Sequence, residues 1–88
     1  MHYVYIVRCA DGTLYTGYAQ DVDARVAVHN AGKGAKYTAS RLPVTLVYRE
    51  TVDSLSAGLK RECEIKRWAR AKKESVISGS KLCSPNPP

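Results

Sequence analysis

The stretch YVYIVRCADGTLYTG, Tyr3 to Gly17, sets the reading of the whole chain. Val, Ile and Tyr crowd both Tyr3 to Val7 and Thr13 to Tyr18, and such residues favour extended backbone. The Asp11-Gly12 pair between the two runs is a strong short-range hairpin signal. Two turn registers are open. A two-residue loop at Asp11-Gly12 turns Tyr5 and Tyr15 to opposite faces of the sheet; a three-residue loop, Ala10-Asp11-Gly12 with Gly12 left-handed, turns both to one side. The three-residue loop is expected, which makes Gly12 the residue that aligns the tyrosines.

Beyond the hairpin, Asp21 is placed to cap a helix that reaches about Ala31 and is stopped by Gly32 and Gly34. The segment Gly32 to Pro43, GKGAKYTASRLP, reads as an exposed loop able to lie against phosphates, with Lys33, Lys36 and Arg41 as its cations; its glycines make no Walker motif. Val44 to Glu50 returns to strand character, and Asp53 or Ser54 caps a second helix running to Glu74 or Ile77. From Ser78 the residues lack any period and end in prolines, so residues 1–77 form the expected domain and 78–88 a flexible tail. The order ββαβα excludes a doubly wound parallel sheet. It predicts an α+β fold, a small three-stranded and mainly antiparallel sheet flanked by helices.

A chain of 88 residues builds one core and leaves no room for separate catalytic and recognition domains, so any chemistry sits on the core itself. Fourteen Lys and Arg against 8 Asp and Glu give a net charge of +6, which favours an anionic partner, nucleic acid foremost. Cys9, Cys63 and Cys83 are an odd number without C-x-x-C spacing, which argues against a disulfide framework and a zinc ribbon. Reduced thiols fit a cytoplasmic protein. The chain enters a strand pattern at once, without a basic leader, and no apolar run is long enough to span a bilayer, so no membrane is expected as a partner. No obligate protein partner is evident.

Several polar residues fall on apolar helix faces. Arg25 and His29 share the first helix face with Val22 and Val26. Taken alone, Arg25 reads as a side chain snorkelling at the core edge and His29 as a satisfied interfacial histidine. On the second helix, Leu55, Leu59 and Ala69 suggest the inward stripe, with Glu62 and Lys66 falling within it. An intrahelical Glu62 to Lys66 ion pair is the default on a solvated face, but a carboxylate turned inward needs a cation or metal. Trp68, away from that stripe among Arg61, Glu64 and Lys72, reads as packing, with stacking on a base as the alternative, and the basic run that includes Lys66 and Arg70 as a field attracting polyanions. Tyr5 and Tyr15 by themselves are ordinary strand packing.

Together these pieces resemble the GIY-YIG nuclease family, in its small stand-alone, single-domain branch. The first half of the family signature matches Tyr3-Val4-Tyr5 and the second Tyr15-Thr16-Gly17, followed by Arg25 and His29, Tyr37 in the loop and Glu62 on the last helix. The resemblance implies a metal-dependent endonuclease cutting DNA. In it Tyr5, Tyr15, Arg25, His29 and Glu62 form the catalytic centre, Glu62 holds one Mg²⁺ or Mn²⁺, and Arg25 stabilises charge on the scissile phosphate. One carboxylate with substrate phosphate and waters suffices for such a hard cation, and Arg presents a planar fork to phosphate. A phenol with a pKa of about 10 needs help to act as a base at neutral pH, and whether Tyr5, Tyr15 or His29 takes the proton stays open.

Lys33, Lys36, Tyr37, Arg41, Lys66 and Arg70 are the expected nucleic-acid contacts, and Gly12 and Gly17 the structural glycines. Size favours single-stranded or structured DNA, because one small domain cannot wrap a duplex while loop cations and aromatics hold a strand. Two departures stand out: Tyr3 occupies the first signature glycine, and Thr16 stands where the second signature has isoleucine. Larger members also carry a late asparagine, for which Asn86 in the expected tail is no convincing counterpart. The rival reading is a non-catalytic basic module that keeps this fold to bind nucleic acid or protein.

Overall fold

The computed structural model describes residues 1–79. Strands β1 (His2–Arg8) and β2 (Leu14–Ala19) pair antiparallel, with Val7 opposite Tyr15 and Tyr5 opposite Gly17. Their turn is the three-residue loop. Cys9 N–H donates to the Thr13 carbonyl at 2.8 Å, Gly12 N–H to the Cys9 carbonyl at 2.9 Å, and Gly12 takes φ +86°. That left-handed position costs a residue with a Cβ but not glycine. Tyr5 and Tyr15 therefore face the same side.

Strand β3 (Thr45–Val52) pairs antiparallel with the other edge of β1, giving the order β2-β1-β3. The architecture is α+β, a three-stranded antiparallel sheet between helices. Opposite Ile6 and Val7 the register slips by one residue at Val47, and this bulge lets Val47 and Tyr48 both join one layer.

Alternation along the strands splits the core in two. One face carries Tyr5, Val7, Cys9 and Ala19, covered by Val22 and Val26 of α1 (Val22–Asn30). The other carries Val4 and Ile6, covered by Ile65 of α3 (Leu55–Lys66) and Ile77 of α4 (Arg70–Ser78). Helix α1 is capped by the Asp21 carboxylate, which accepts from Ala24 N–H at 3.0 Å. It ends at Gly32, φ +81°, with Gly32 N–H bonded to the His29 carbonyl and Lys33 N–H to that of Val28, a Schellman closure. Ser54 caps α3.

Three local expectations are corrected. The second helix is two helices: Arg67 N–H and Trp68 N–H bond back only three residues, to Glu64 and Ile65, and end α3. Trp68 turns onto the aliphatic layer, with the Arg61 and Lys72 charges 5.0 and 4.5 Å from its ring, and α4 starts anew after Ala69. Nothing in sequence marks that break, because no Gly or Pro makes it; burial of the indole does. Leu55 and Leu59 are not inward but 51% and 49% exposed, and Ala69 is exposed; α3 instead buries Gly58 and Ile65. Finally, the basic loop contains one helical turn, α2 (Lys36–Ala39), whose Thr38 is fully buried.

Helix α4 is tied to the hairpin by the Arg8 fork on Glu74, at 2.8 and 3.0 Å, and by Arg70, which donates to the Gly12 carbonyl at 2.8 Å. Ser78, where a flexible tail is expected to begin, instead closes α4, and Gly79 caps it; residues 80–88, with Cys83 and Asn86, lie outside the described residues. Cys9 and Cys63 are free thiols, and among the described residues no helix is long and apolar enough to cross a membrane.

Candidate active site

Tyr5, at the centre of the middle strand, is 1% exposed. Its ring lies against Gly17 on the neighbouring strand, where an added Cβ would meet the hydroxyl oxygen at 2.5 Å. Gly17 is thus a close-approach glycine: any side chain would expel the Tyr5 phenol. From this position the Tyr5 hydroxyl reaches His29 Nε2 on α1 at 2.8 Å. His29 is 2% exposed, and its other nitrogen, Nδ1, lies 2.8 Å from the Thr38 hydroxyl of α2.

The direction of this chain follows from proton counting. Thr38 donates its only hydroxyl proton to the Ala35 carbonyl at 3.1 Å, so it accepts from His29 Nδ1–H. Nε2 then carries the lone pair and accepts from the Tyr5 hydroxyl. Burial, and next the positive charge of Arg25, hold the His29 pKa below its ordinary value, so the ring is neutral at neutral pH. Burial pushes the Tyr5 phenol up to about 12, with the Tyr15 phenol adding to the rise, Arg25 opposing it and Glu62 adding slightly.

Tyr15 is half-buried on the same face, edge-on to His29 at 5.3 Å between ring centres and stacked on Tyr37 at 6.0 Å. Arg25, exposed on α1, has no hydrogen-bond or ion-pair partner among the described residues. A cation left unpaired, its charge felt by both the Tyr5 phenol and the His29 imidazole, is what an anion site requires. Glu62 belongs to α3, on the opposite side of the sheet from the tyrosines. Its charge is felt at Tyr5, and its partner Lys66, 3.0 Å away, holds its ammonium 5.8 Å from the centre of the Tyr15 ring. His29 thus bonds Tyr5 directly, and Tyr15, Arg25 and Glu62 are all near enough for their charges to be felt at its hydroxyl.

The expected nucleic-acid contacts divide. Lys33 and Lys36 are exposed and unpaired among the described residues, flanking Gly34, whose Cα rests on the His29 ring. Arg41 is engaged inside the protein, 4.0 Å over the Tyr37 ring, 2.8 Å from the Tyr37 carbonyl and 3.2 Å from the Asp11 carboxylate. Lys66 is held by Glu62, and Arg70 by Gly12 and Glu74. Arg70 still lines a shallow groove with Thr13, Leu14, Tyr37 and Lys73.

Sequence reasoning missed Thr38 and Gly34, which orient and make room for His29, and Asn30. The Asn30 amide accepts from Val44 N–H at 2.7 Å and donates to the Val44 carbonyl at 3.1 Å, pinning the end of the basic loop to α1. No spacing signals any of the three, because each acts across the loop.

Among the described residues no three His, Cys, Asp or Glu side chains cluster, so there is no nitrogen and sulfur set for zinc. The donor on offer is the single Glu62 carboxylate. A lone carboxylate fits Mg²⁺ or Mn²⁺, which keep waters and take substrate oxygens.

Fold and site define a class: a small antiparallel α+β domain with paired strand tyrosines, a helix Arg and His, and one distant Glu. The sequence profile described as the GIY-YIG catalytic domain matches residues 1–75, and the chain belongs to that nuclease-type family. It is 58% identical over 77 residues to a UPF0213 protein of Staphylococcus saprophyticus, covering 88% of this chain and 94% of that one. To a UPF0213 protein of Staphylococcus epidermidis it is 62% identical over 76 residues, covering 86% and 93%. The solution structure of a UPF0213 protein from Bacillus halodurans superposes with a TM-score of 0.55 at 48% identity, covering 88% of this chain and 82% of that one. A solution structure of an E. faecalis protein gives a TM-score of 0.58 at 36% identity, covering 89% and 83%.

Proposed function

We propose that this chain is a divalent-metal-dependent endonuclease of the cytoplasm, hydrolysing DNA phosphodiester bonds with one domain, residues 1–77. The observation that carries this reading is the 2.8 Å bond from the Tyr5 hydroxyl to a neutral His29 whose tautomer Thr38 sets. A phenol with a pKa near 12 is no base by itself at neutral pH. Paired with an imidazole lone pair it becomes a relay: Tyr5 takes the proton of the attacking water as it passes its own to His29 Nε2.

Tyr15, less buried and with no hydrogen bond from its hydroxyl among the described residues, is placed to hold the water or a phosphate oxygen. Arg25 offers its unpaired guanidinium to the charge that develops on the phosphate. Glu62 would hold Mg²⁺ or Mn²⁺, which supplies Lewis acidity at the phosphoryl oxygen. Single-stranded or structured DNA is the favoured substrate, since a domain of this size offers little surface to wrap a duplex while the exposed Lys33 and Lys36 stand beside the site.

The test is purified protein on labelled single-stranded and duplex DNA with Mg²⁺ or Mn²⁺, with chelator, and with the Glu62→Ala variant. Cleavage that needs the metal and vanishes in Glu62→Ala, with DNA binding retained, is expected. Folded protein that binds DNA but yields no metal-dependent product from any substrate makes it the non-catalytic binding module instead.

A further inference from the structure

The Glu62 side chain is only 19% exposed, against 60% for Glu64 two residues on and 35% for Glu74. A carboxylate that far from water needs a cation. The cation it has is not Arg25, which is unpaired, but Lys66, one helical turn along, with Nζ 3.0 Å from Oε2. The lysine is itself 49% exposed, and its ammonium hangs 5.8 Å from the Tyr15 ring centre, within the site rather than outside it. An ammonium on a flexible four-carbon stem is free to change partner, and two cations cannot both bind one carboxylate at full strength.

We infer that Lys66 is a built-in counter-cation that competes with the divalent ion for Glu62 and yields the carboxylate when a substrate phosphate draws the ammonium away. The inference rests on the nuclease reading and adds a coupling to it. In the free protein the ammonium weakens metal binding. With phosphate in the site, the lysine has a second partner, Glu62 is released, and metal and substrate bind cooperatively. By linkage each then tightens the other by the same factor. The same arrangement keeps the half-buried carboxylate neutralised when neither is present.

The experiment measures Mn²⁺ affinity of the full chain by titration calorimetry. It compares wild type, Lys66→Met, Lys66→Arg and Glu62→Gln, with and without thymidine 3′,5′-bisphosphate, a probe with phosphates but no diester to cut. Lys66→Met keeps an unbranched stem against Tyr15, and its thermal midpoint confirms that it is folded. Without the nucleotide, Lys66→Met is expected to bind Mn²⁺ roughly three- to tenfold more tightly than wild type, the size of removing one charge beside a partly solvated carboxylate. Lys66→Arg should stay near wild type. The bisphosphate should tighten Mn²⁺ binding more in wild type than in Lys66→Met. If Glu62→Gln abolishes binding and Lys66→Met binds no more tightly than wild type, the competition is refuted while the metal site stands. If Glu62→Gln binds as wild type does, or no variant binds at all, the metal assignment falls and this inference with it.

Discussion

The two faces of the sheet are built from alternate residues of the same strands, yet they have opposite characters. On the face covered by α3 and α4, Val4, Ile6, Ile65 and Ile77 make an aliphatic layer. On the face covered by α1 and α2, a hydrogen-bonded row runs through the core from Tyr5 to His29 to Thr38 to the Ala35 carbonyl. Buried polar groups contribute little net stability when paired and cost much when one partner is lost. In a domain this small, the cluster that contains Val7, Cys9, Ala19, Val22 and Val44 must also accommodate that row, whereas the aliphatic layer has no such demand on it. Helix α3, which carries Glu62, packs on the aliphatic face, while Tyr5 and Tyr15 lie on the other.

This division has consequences that mutation separates. The largest is at Tyr5: Tyr5→Phe removes the relay and should lower single-turnover DNA cleavage by about 10²–10⁴, with the circular dichroism spectrum preserved. Cleavage at the wild-type rate would break the assignment of chemistry to this face. Next is Ile65→Ala, which removes a fully buried side chain from the other face. It should cost about 2–5 kcal/mol in urea unfolding, while the folded fraction cleaves normally; a loss of turnover in molecules shown to be folded would mean the halves are not separable. The smallest is at Thr16, which pairs with Ile6 and so belongs to the aliphatic side. Its buried hydroxyl finds no partner among the described residues. Thr16→Val should raise stability by about 1 kcal/mol, read as a higher urea midpoint, and leave cleavage unchanged. A decrease would show that the hydroxyl has a partner that the present contacts do not include.

Much of this was legible in the chain. The Asp11-Gly12 pair, with alternation on either side, specified the hairpin, and the positive φ of Gly12 agrees with the three-residue register that puts the tyrosines together. Asp21 and Gly32 marked both ends of α1. Helical spacing put Arg25 and His29 on one side of it, although only His29 goes into the core. The inward stripe of α3 is not the one Leu55 and Leu59 suggest: Ile65 sets it, and the surface closest to β2 needs a residue with no side chain. Gly58 lies there, where a Cβ would meet the Tyr18 ring at 2.6 Å. Glu62 lies one turn from both Gly58 and Ile65, so it borders the true inner face, and its sequence-based placement came out near the mark for the wrong reason.

The sequence by itself determined the elements of the sheet, its hairpin register, the α+β class and the residues of the family signature. These depend on short-range rules: turn chemistry, strand alternation, helix caps and the spacing of a signature. Only the tertiary structure decided that Thr38 fixes the His29 tautomer, that Gly34 leaves room for that ring, that Trp68 breaks the last helix in two, and that Lys66 holds Glu62 in the free protein. Each of these is a contact between side chains or a competition for one buried place, and its energy depends on which groups reach that place first and which are left unpaired. Local pattern does not encode that choice; the packed core makes it.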